Sequence, residues 1–413
     1  MFEQVKKVVL DSAIWSGKQT ETHKFVLTPA IFKFARDQYV ELLRLVEIIC
    51  EALKGVDSMA MTAAQPGCDD RGWGIVRDAL RTQVPKLDLD LLDVGSNVGA
   101  GIFKFDIIEG ADGRFYVPEI DTRVVQNWGV GILTERMRFV VAPEAQAISN
   151  MAQGVVAEFR RQGGTNDDIL YLIYPDVERF YKPYFMLLKA AVAELGIQVE
   201  ILHENRGLQV ATEGGFFVDL PFCKLNQKVA ETLARRYRNG QVKFLVPPKG
   251  HLGSKNVLGL ISNASGDDAL EEILRAYIPA ETLTLLRRYF PESRLVHSAS
   301  SWNGVGQRYL LKGVISGGSK EVTLGDAGEF AAKAEQARRE PFRFILQKEI
   351  ETRVRQLPYF GPQGELMEDG FGVRLIVHVS SVGEIMDVSA TACRNKRIIH
   401  GGKEALMFGA AIT

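Results

Sequence analysis

Three acidic residues lie close together in residues 101–123, which read GIFKFDIIEGADGRFYVPEIDTR. The tight turn GADG at 110–113, flanked by alternating apolar residues, predicts two antiparallel strands joined in a hairpin. Because strand side chains alternate between the two faces of a sheet, Glu119 and Asp121 point the same way. If Glu109 pairs with Arg114 across the turn, Asp106 lies on that face too, opposite Val117.

Three carboxylates on one face of a hairpin need a compensating charge. Like charges about 4 Å apart repel by about 4 kcal/mol at an effective dielectric of about 20. Mg²⁺ suits such a group, since it binds a few carboxylates together with waters and phosphate oxygens. Asp106, Glu119 and Asp121 are therefore candidate metal ligands. The alternative is a solvated hairpin face with Lys104 and Arg123 as counter-charges.

A second group of candidate residues lies far along the chain, in residues 307–322. A predicted strand carries Lys312, whose ammonium can reach a nucleotide phosphate as a point charge. The Gly/Ser-rich loop that follows has little side-chain bulk over its backbone N–H groups, so these can close over phosphate oxygens. The alternative is an ordinary hairpin turn between antiparallel strands. The candidate loop residues are Ser316, Gly317, Gly318, Ser319 and Lys320.

Two further strands carry residues of the same kind. At the end of a strand over 342–350, the backbone could present N–H and C=O groups to an adenine edge, and a carboxylate could hold ribose hydroxyls; an amphipathic edge strand is the alternative. Arg374 lies in the middle of an apolar strand, where a buried guanidinium needs a partner such as a phosphate oxygen. Arg394, beside Asn395 and Lys396, is either an anion ligand or part of a basic surface turn. The candidate strand-end residues are Gln347, Lys348, Glu349 and Ile350.

The composition is that of an ordinary globular protein. A length of 413 residues predicts two or three domains, and a formal net charge of −1 gives no global attraction to nucleic acid or to anionic membranes. The four cysteines are scattered without zinc spacing, and no signal peptide or membrane span is recognised, so we expect free thiols and a cytoplasmic protein.

The remaining elements frame these candidates. Helical periodicity predicts a long N-terminal helix that starts at Thr28-Pro29 and ends at Gly55. A strand–helix–strand unit over 169–202 predicts a parallel sheet without a dinucleotide-binding glycine motif. Short strands are predicted at 208–211, 216–220 and 397–399.

Together these motifs resemble the ATP-grasp superfamily. The resemblance lies in the strand Lys312, the loop ISGGSKEV, the element LQKEI, the strand GVRLIVHV and the acidic hairpin, in which Glu119 and Asp121 form Glu-x-Asp in place of Glu-x-Asn. The acidic element precedes the nucleotide loop, as in circularly permuted members similar to glutathione synthetase and glutathionylspermidine synthetase. The segment PPKGHLGSKNVLGLI adds Lys255.

The resemblance implies an α/β (α+β) fold, namely a circularly permuted ATP-grasp fold with a pre-ATP-grasp βαβ domain. It implies a helical region over 1–90, metal-binding strands over 91–140 that belong to the ATP-grasp core, a pre-ATP-grasp domain over 165–250 and nucleotide-binding subdomains over 251–413.

The implied activity is an ATP- and Mg²⁺-dependent carboxylate–amine ligase. A substrate carboxylate takes the γ-phosphate, and an amine then displaces phosphate from the acyl phosphate. Arg374, with Arg123 or Arg394, would stabilise the transferring phosphoryl group, and Lys255 and Lys312 would hold the triphosphate. The implied partners are small-molecule or peptide carboxylates and amines, and the oligomeric state stays open, a homodimer included. Another phosphoryl transfer, such as a kinase or ester-forming reaction, and a non-catalytic nucleotide-binding role are the alternatives.

Overall fold

The computed structural model of the chain describes residues 1–12, 25–68, 70–94, 101–122, 125–148, 150–174, 182–218, 225–264, 266–297, 308–315, 321–394, 397–399 and 404–413.

The helices of this part of the chain are α1 (Phe2–Asp11), α2 (Arg36–Ala63), α3 (Arg71–Arg81), α4 (Lys86–Asp90), α5 (Val125–Val141), α6 (Met151–Arg161), α7 (Lys182–Ala193), α8 (Glu204–Glu213), α9 (Gln227–Arg238), α10 (Asn256–Ser262), α11 (Asp268–Tyr277), α12 (Ala280–Tyr289) and α13 (Phe330–Arg339).

The strands are β1 (Phe32–Phe34), β2 (Phe103–Glu109), β3 (Phe115–Asp121), β4 (Gln146–Ala147), β5 (Ile169–Tyr174), β6 (Gln198–His203), β7 (Gly215–Phe217), β8 (Val242–Phe244), β9 (Ser293–Leu295), β10 (Tyr309–Gly313), β11 (Val322–Leu324), β12 (Phe344–Lys348), β13 (Val354–Phe360), β14 (Leu366–Val379), β15 (Ile385–Cys393) and β16 (Leu406–Ile412).

A large mixed sheet joins early and late segments of the chain. Its strands follow the order β1-β16-β15-β14-β2-β3, with β13 also paired to β14 and β4 to β16. The predicted acidic hairpin, β2 and β3, therefore lies directly beside β14, which carries Arg374. One face of this sheet, with Phe105, Leu375 and Val377, packs into the main hydrophobic core against α2. The alternation of the strands leaves Lys104, Asp106 and Arg374 on the opposite face.

Two smaller sheets complete this mixed α/β fold. The strands β11-β10-β12-β9 form an antiparallel sheet, and β6-β5-β7-β8 form a parallel sheet. The helix α7 connects the parallel strands β5 and β6, as the strand–helix–strand pattern predicts. No helix of the described residues is long and apolar enough to cross a membrane.

The N-terminal helix prediction is wrong at both ends. Thr28 does not cap a helix: its hydroxyl donates to the carbonyl oxygen of Pro358 at 2.6 Å, and the chain then forms β1 before α2 begins. Gly55 lies inside α2 rather than at its end. A Cβ at this position would come within 2.6 Å of the Ile278 side chain and 2.7 Å of the Tyr277 carbonyl oxygen. This glycine permits a close approach to the end of α11.

Two short strand predictions are also wrong. Residues 208–211 belong to α8, and residues 397–399 form no strand. The prediction at 216–220 overlaps β7, whose last residue is Phe217.

Candidate functional site

The acidic hairpin forms with a register different from the predicted one. Glu109 pairs with Phe115, and an irregularity between Asp106 and Ile108 then places Asp106 directly opposite Glu119. The expected partner of Asp106, Val117, is therefore wrong. The bulge still leaves Asp106 and Glu119 on one face, since directly opposed residues share a face in an antiparallel pair.

Lys104 compensates two of the acidic side chains. Its Nζ lies 3.3 Å from Asp106 Oδ1 and 3.7 Å from Asp121 Oδ2, and the residue is 7 % exposed. Burial alone would lower the pKa of Lys104, but Asp106, Asp121 and Glu119 outweigh it and raise that pKa. Lys104 is thus the counter-charge that the alternative interpretation names, although it is buried rather than solvated. Arg123 lies outside the described residues.

Arg374 reaches the same carboxylate from the neighbouring strand. Its Nη1 lies 3.2 Å from Asp106 Oδ2. Its Nε is buried and has no hydrogen-bond partner within the described structure. A buried guanidinium N–H without an acceptor costs free energy, and a ligand oxygen would satisfy it.

Lys255 approaches the hairpin from the segment that leads into α10. Its Nζ lies 3.0 Å from Glu119 Oε1, and its backbone N–H donates to the carbonyl oxygen of Val314, just after β10. Burial alone would raise the pKa of Glu119, but the ammonium groups of Lys255, Lys104 and Lys312 lower it to about 2. Glu119 is therefore an anion at neutral pH.

Lys312 comes from the small antiparallel sheet. Its Nζ donates to Gln347 Oε1 at 2.6 Å, and the Gln347 amide donates in turn to Ser293 Oγ at 3.2 Å and to the carbonyl oxygen of Pro118 at 3.3 Å. Burial lowers the pKa of Lys312 to about 8, with Glu119 opposing that effect. Gln347 thus connects β12 to β3 and orients Lys312.

These side chains form one group where the large sheet meets the antiparallel sheet, with the three lysines and Asp106 buried and the others half-buried, and we call it the junction cluster. Its members come from four segments of the chain, namely the acidic hairpin, the residue before α10, β10 and β14: Lys104, Asp106, Glu119, Asp121, Lys255, Lys312 and Arg374. Lys104 is the member that the sequence-based candidate list lacks. Its position two residues before Asp106 on the same strand is the signal that places it on the acidic face.

The predicted adenine-edge residues are largely engaged by the protein. The backbone N–H of Lys348 donates to the carbonyl oxygen of Glu292 at 2.8 Å, and that of Glu349 donates to the carbonyl oxygen of Arg308 at 2.7 Å. The Glu349 carboxylate pairs with Arg397. Those two N–H groups therefore do not face a purine as predicted. The strand β12 is also no edge strand, since it lies between β10 and β9.

The remaining candidates are Arg394, the Gly/Ser loop and Ile350, and none of them is seen in the junction cluster. Arg394 pairs with Asp369 at 2.7 Å and packs over the rings of Tyr359 and Phe371. These contacts are those of a surface arginine. The flanks of the Gly/Ser loop form an antiparallel pair, β10 with β11. Residues 316–320 themselves lie outside the described residues. Ile350 follows β12 and is half-buried.

The metal prediction remains a prediction. Within the described ranges, no group of three or more His, Cys, Asp or Glu side chains is placed to hold one ion. Asp106, Glu119 and Asp121 are instead each paired with a lysine or arginine. Their oxygen donors still match the chemistry that Mg²⁺ prefers, and this ion commonly uses one or two protein carboxylates together with substrate phosphates.

Among solved structures, the comparisons give a distant likeness in fold. No family model matches the chain, and no curated protein matches it. The fold is weakly similar to a crystal structure from Methylobacillus flagellatus KT described as a "putative gamma-glutamylcysteine synthetase", with a TM-score of 0.37 and 8 % identity over 78 % of this chain and 82 % of that chain. Similarity at this level supports no statement about activity.

Proposed function

We propose that this protein is an ATP- and Mg²⁺-dependent carboxylate–amine ligase that forms an amide through an acyl phosphate. The observation that carries the proposal is the junction cluster, in which residues separated by more than 200 positions meet at one buried place. Asp106 there contacts both Lys104 and Arg374, and Glu119 contacts Lys255. Phosphoryl transfer needs positioning and charge neutralisation rather than a nucleophilic side chain, and the cluster offers both.

Three of the four cations of the cluster have a task in this proposal. Lys255 and Lys312 bind the triphosphate and orient its terminal group. Arg374 donates through its unpartnered Nε to the transferring phosphoryl group and then to the acyl phosphate. Bound substrates would have to cover the partly exposed side chains of Glu119, Asp121 and Arg374 to keep water from the acyl phosphate.

Asp106 and Glu119 are the carboxylates that we propose for Mg²⁺, with Asp121 beside them. When bound, the ion would neutralise phosphate charge and fix the geometry of the transferring group. The lysines that now pair with these carboxylates would then turn toward phosphate oxygens. This exchange of partners keeps the buried charges compensated with and without nucleotide.

The test combines binding and turnover. Calorimetry with Mg²⁺ and ATP should give binding that Lys312→Ala weakens by at least tenfold, the scale of one lost hydrogen bond to a charged group. Lys333→Ala, which removes an exposed lysine of α13, is the matched control and should bind as the native protein does. Equal affinity in Lys312→Ala and the native protein would contradict the assigned pocket.

Turnover separates the ligase from its alternatives. Incubation with pooled carboxylates and amines should release ADP and phosphate and yield an amide found by mass spectrometry. A stable phosphorylated product would instead identify a kinase. Nucleotide binding without any product, across broad pools of both substrate types, would identify a non-catalytic binding protein.

A further inference from the structure

A second buried charged group involves the segment that leads to Lys255. Asp57 of α2 pairs with Lys249 through Oδ2 and with His251 Nε2 at 2.9 Å through Oδ1. The three residues are 3 %, 2 % and 0 % exposed, respectively. We call Asp57, Lys249 and His251 the Asp57 anchor.

The anchor holds a short turn in place. Lys249 and His251 flank Gly250, the first residue of a 3₁₀ turn over Gly250–Gly253, so both contacts with Asp57 fix the start of that turn. The carbonyl oxygen of Lys249 also accepts a hydrogen bond from Thr122 Oγ1 at 3.3 Å, immediately after β3. The turn is thus tied to α2 on one side and to the acidic hairpin on the other.

The far end of the same segment is fixed as well. The Asn256 amide donates to the carbonyl oxygens of Ala79 at 2.9 Å and Phe342 at 2.8 Å. Lys255 therefore lies between two buried anchoring points, with its Nζ against Glu119. Only a few residues separate Lys255 from Asp57's two partners, so a displacement of the turn moves the ammonium group.

The anchor has no room for a ligand of its own. The cavity that His251 lines together with Arg77 and Arg81 has a volume of about 10 Å³. That volume holds at most one water molecule. The anchor charges are also balanced within the group, because burial lowers the pKa of His251 and keeps its imidazole neutral beside the Asp57–Lys249 pair. The anchor is therefore better explained as a structural support for the turn that leads to Lys255.

We infer that Asp57 is a positioning residue, which fixes the turn at Gly250–Gly253 through Lys249 and His251 and thereby sets the place of the Lys255 ammonium in the junction cluster. This inference rests on the proposed function for its catalytic meaning, while the placement of Lys255 can be measured without nucleotide.

The first measurement is the rate of amine-reactive labelling of individual lysines, read by mass spectrometry. Asp57→Asn should raise the labelling rate of Lys255 several-fold and leave Lys104 and Lys312 unchanged, since those two lie on other elements. Glu271→Gln, which removes an ion pair with Arg287 among the helices, is the control and should leave Lys255 protected. An unchanged Lys255 rate, or an equal rise at all three lysines, would overturn the inference.

The second measurement is a double-mutant cycle on the affinity for ATP with Mg²⁺. Asp57→Asn should weaken binding by roughly tenfold in the native background, the scale of one misplaced charged hydrogen bond, and have no effect in Lys255→Ala. Equal losses in both backgrounds would show a general structural effect and overturn the inference. Absence of binding by the native protein would refute the proposed function, and the labelling result would still decide the placement of Lys255.

If Asp57→Asn does not fold, His251→Phe carries the same test. This variant removes one of the two contacts with the turn and leaves the Asp57–Lys249 pair intact, so no buried charge loses its partner. Its Lys255 labelling should rise by a smaller factor, and a rate equal to that of the native protein would overturn the inference.

Discussion

The junction cluster and the Asp57 anchor are both buried and charged, but they differ in charge balance. The junction cluster sets four cationic side chains against three carboxylates. It contains an arginine Nε that has no partner among the described residues, and a lysine whose pKa is lowered to about 8. The anchor sets one carboxylate against one ammonium, with a neutral imidazole beside them. The junction cluster, where we propose that an anionic ligand binds, carries excess positive charge. The Asp57 anchor, which holds a turn in place, carries balanced charge.

This difference predicts opposite costs of mutation. Removing a charge from the anchor should lower stability, because the remaining partner is left buried and unpaired. Removing a cation from the junction cluster should cost activity and little stability, because that cluster holds more cations than the carboxylates require.

The largest effect is expected at the anchor. Asp57→Asn leaves the ammonium of Lys249 buried without a counter-charge, so the free energy of unfolding should fall by about 3–5 kcal/mol. Urea unfolding measures this change. Adding Lys249→Met removes the unpaired charge and should restore most of the loss. A loss below about 1 kcal/mol in the single variant would contradict this prediction, because only solvent-exposed ion pairs contribute so little to stability.

Arg374→Met tests the other side of the comparison. Turnover should fall by about 10²–10³-fold, the scale of a lost donor to a developing oxyanion. The free energy of unfolding should change by less than about 1 kcal/mol, because Asp106 keeps Lys104 as its partner. Parallel assays of ADP release and urea unfolding give both quantities. A loss of stability without a loss of turnover would reverse the roles of the two clusters.

Gly55→Ala tests the close packing of α2, the helix that carries Asp57, against the end of α11. A methyl group at this position would meet Ile278 and the Tyr277 backbone, so the free energy of unfolding should fall by about 1–3 kcal/mol. Gly74→Ala in α3 is the control, since a Cβ there meets nothing within 4 Å. That change should be neutral or stabilise by up to about 1 kcal/mol. Similar thermal shifts for both variants would contradict the close approach.

The smallest effect is a pH dependence from Lys312. With a pKa of about 8, Lys312 loses its charge between pH 7 and 9, so affinity for a nucleotide should fall by about tenfold over that range. Lys312→Arg, which keeps its charge, should give a flat profile. Because this folded-state pKa lies below the ordinary lysine value of 10.5, the unfolded chain binds more protons between these two pKa values, and stability should rise with pH there. Equal profiles for both proteins would exclude Lys312 as the titrating group.

The sequence predicts the features that local chemistry decides. The hairpin forms because the turn and the alternation of β2 and β3 are local signals, whereas Asp106 meets Glu119 only because a bulge adds one residue to the pairing. The predicted register fails first at the turn, where Glu109 pairs with Phe115 rather than Arg114, and a bulge between Asp106 and Ile108 shifts the pairing by one more residue, which no residue type marks.

Distant partners explain the remaining failures. Thr28 reads as a helix cap, but its hydroxyl bonds to a residue 330 positions away. Gly55 reads as a helix end, but it serves a helix crossing that only the packing reveals. Asp57 has no motif at all, since its partners lie more than 190 positions later. Mixed-charge clusters between distant segments are thus visible only in three dimensions.

The most direct test of the central claim is a crystal structure with Mg²⁺ and a non-hydrolysable ATP analogue. We expect the phosphates within hydrogen-bond distance of Lys312 Nζ and Arg374 Nε, and the metal ion on Asp106 and Glu119. Phosphates bound elsewhere, with the ion pairs of the junction cluster unchanged, would contradict this account.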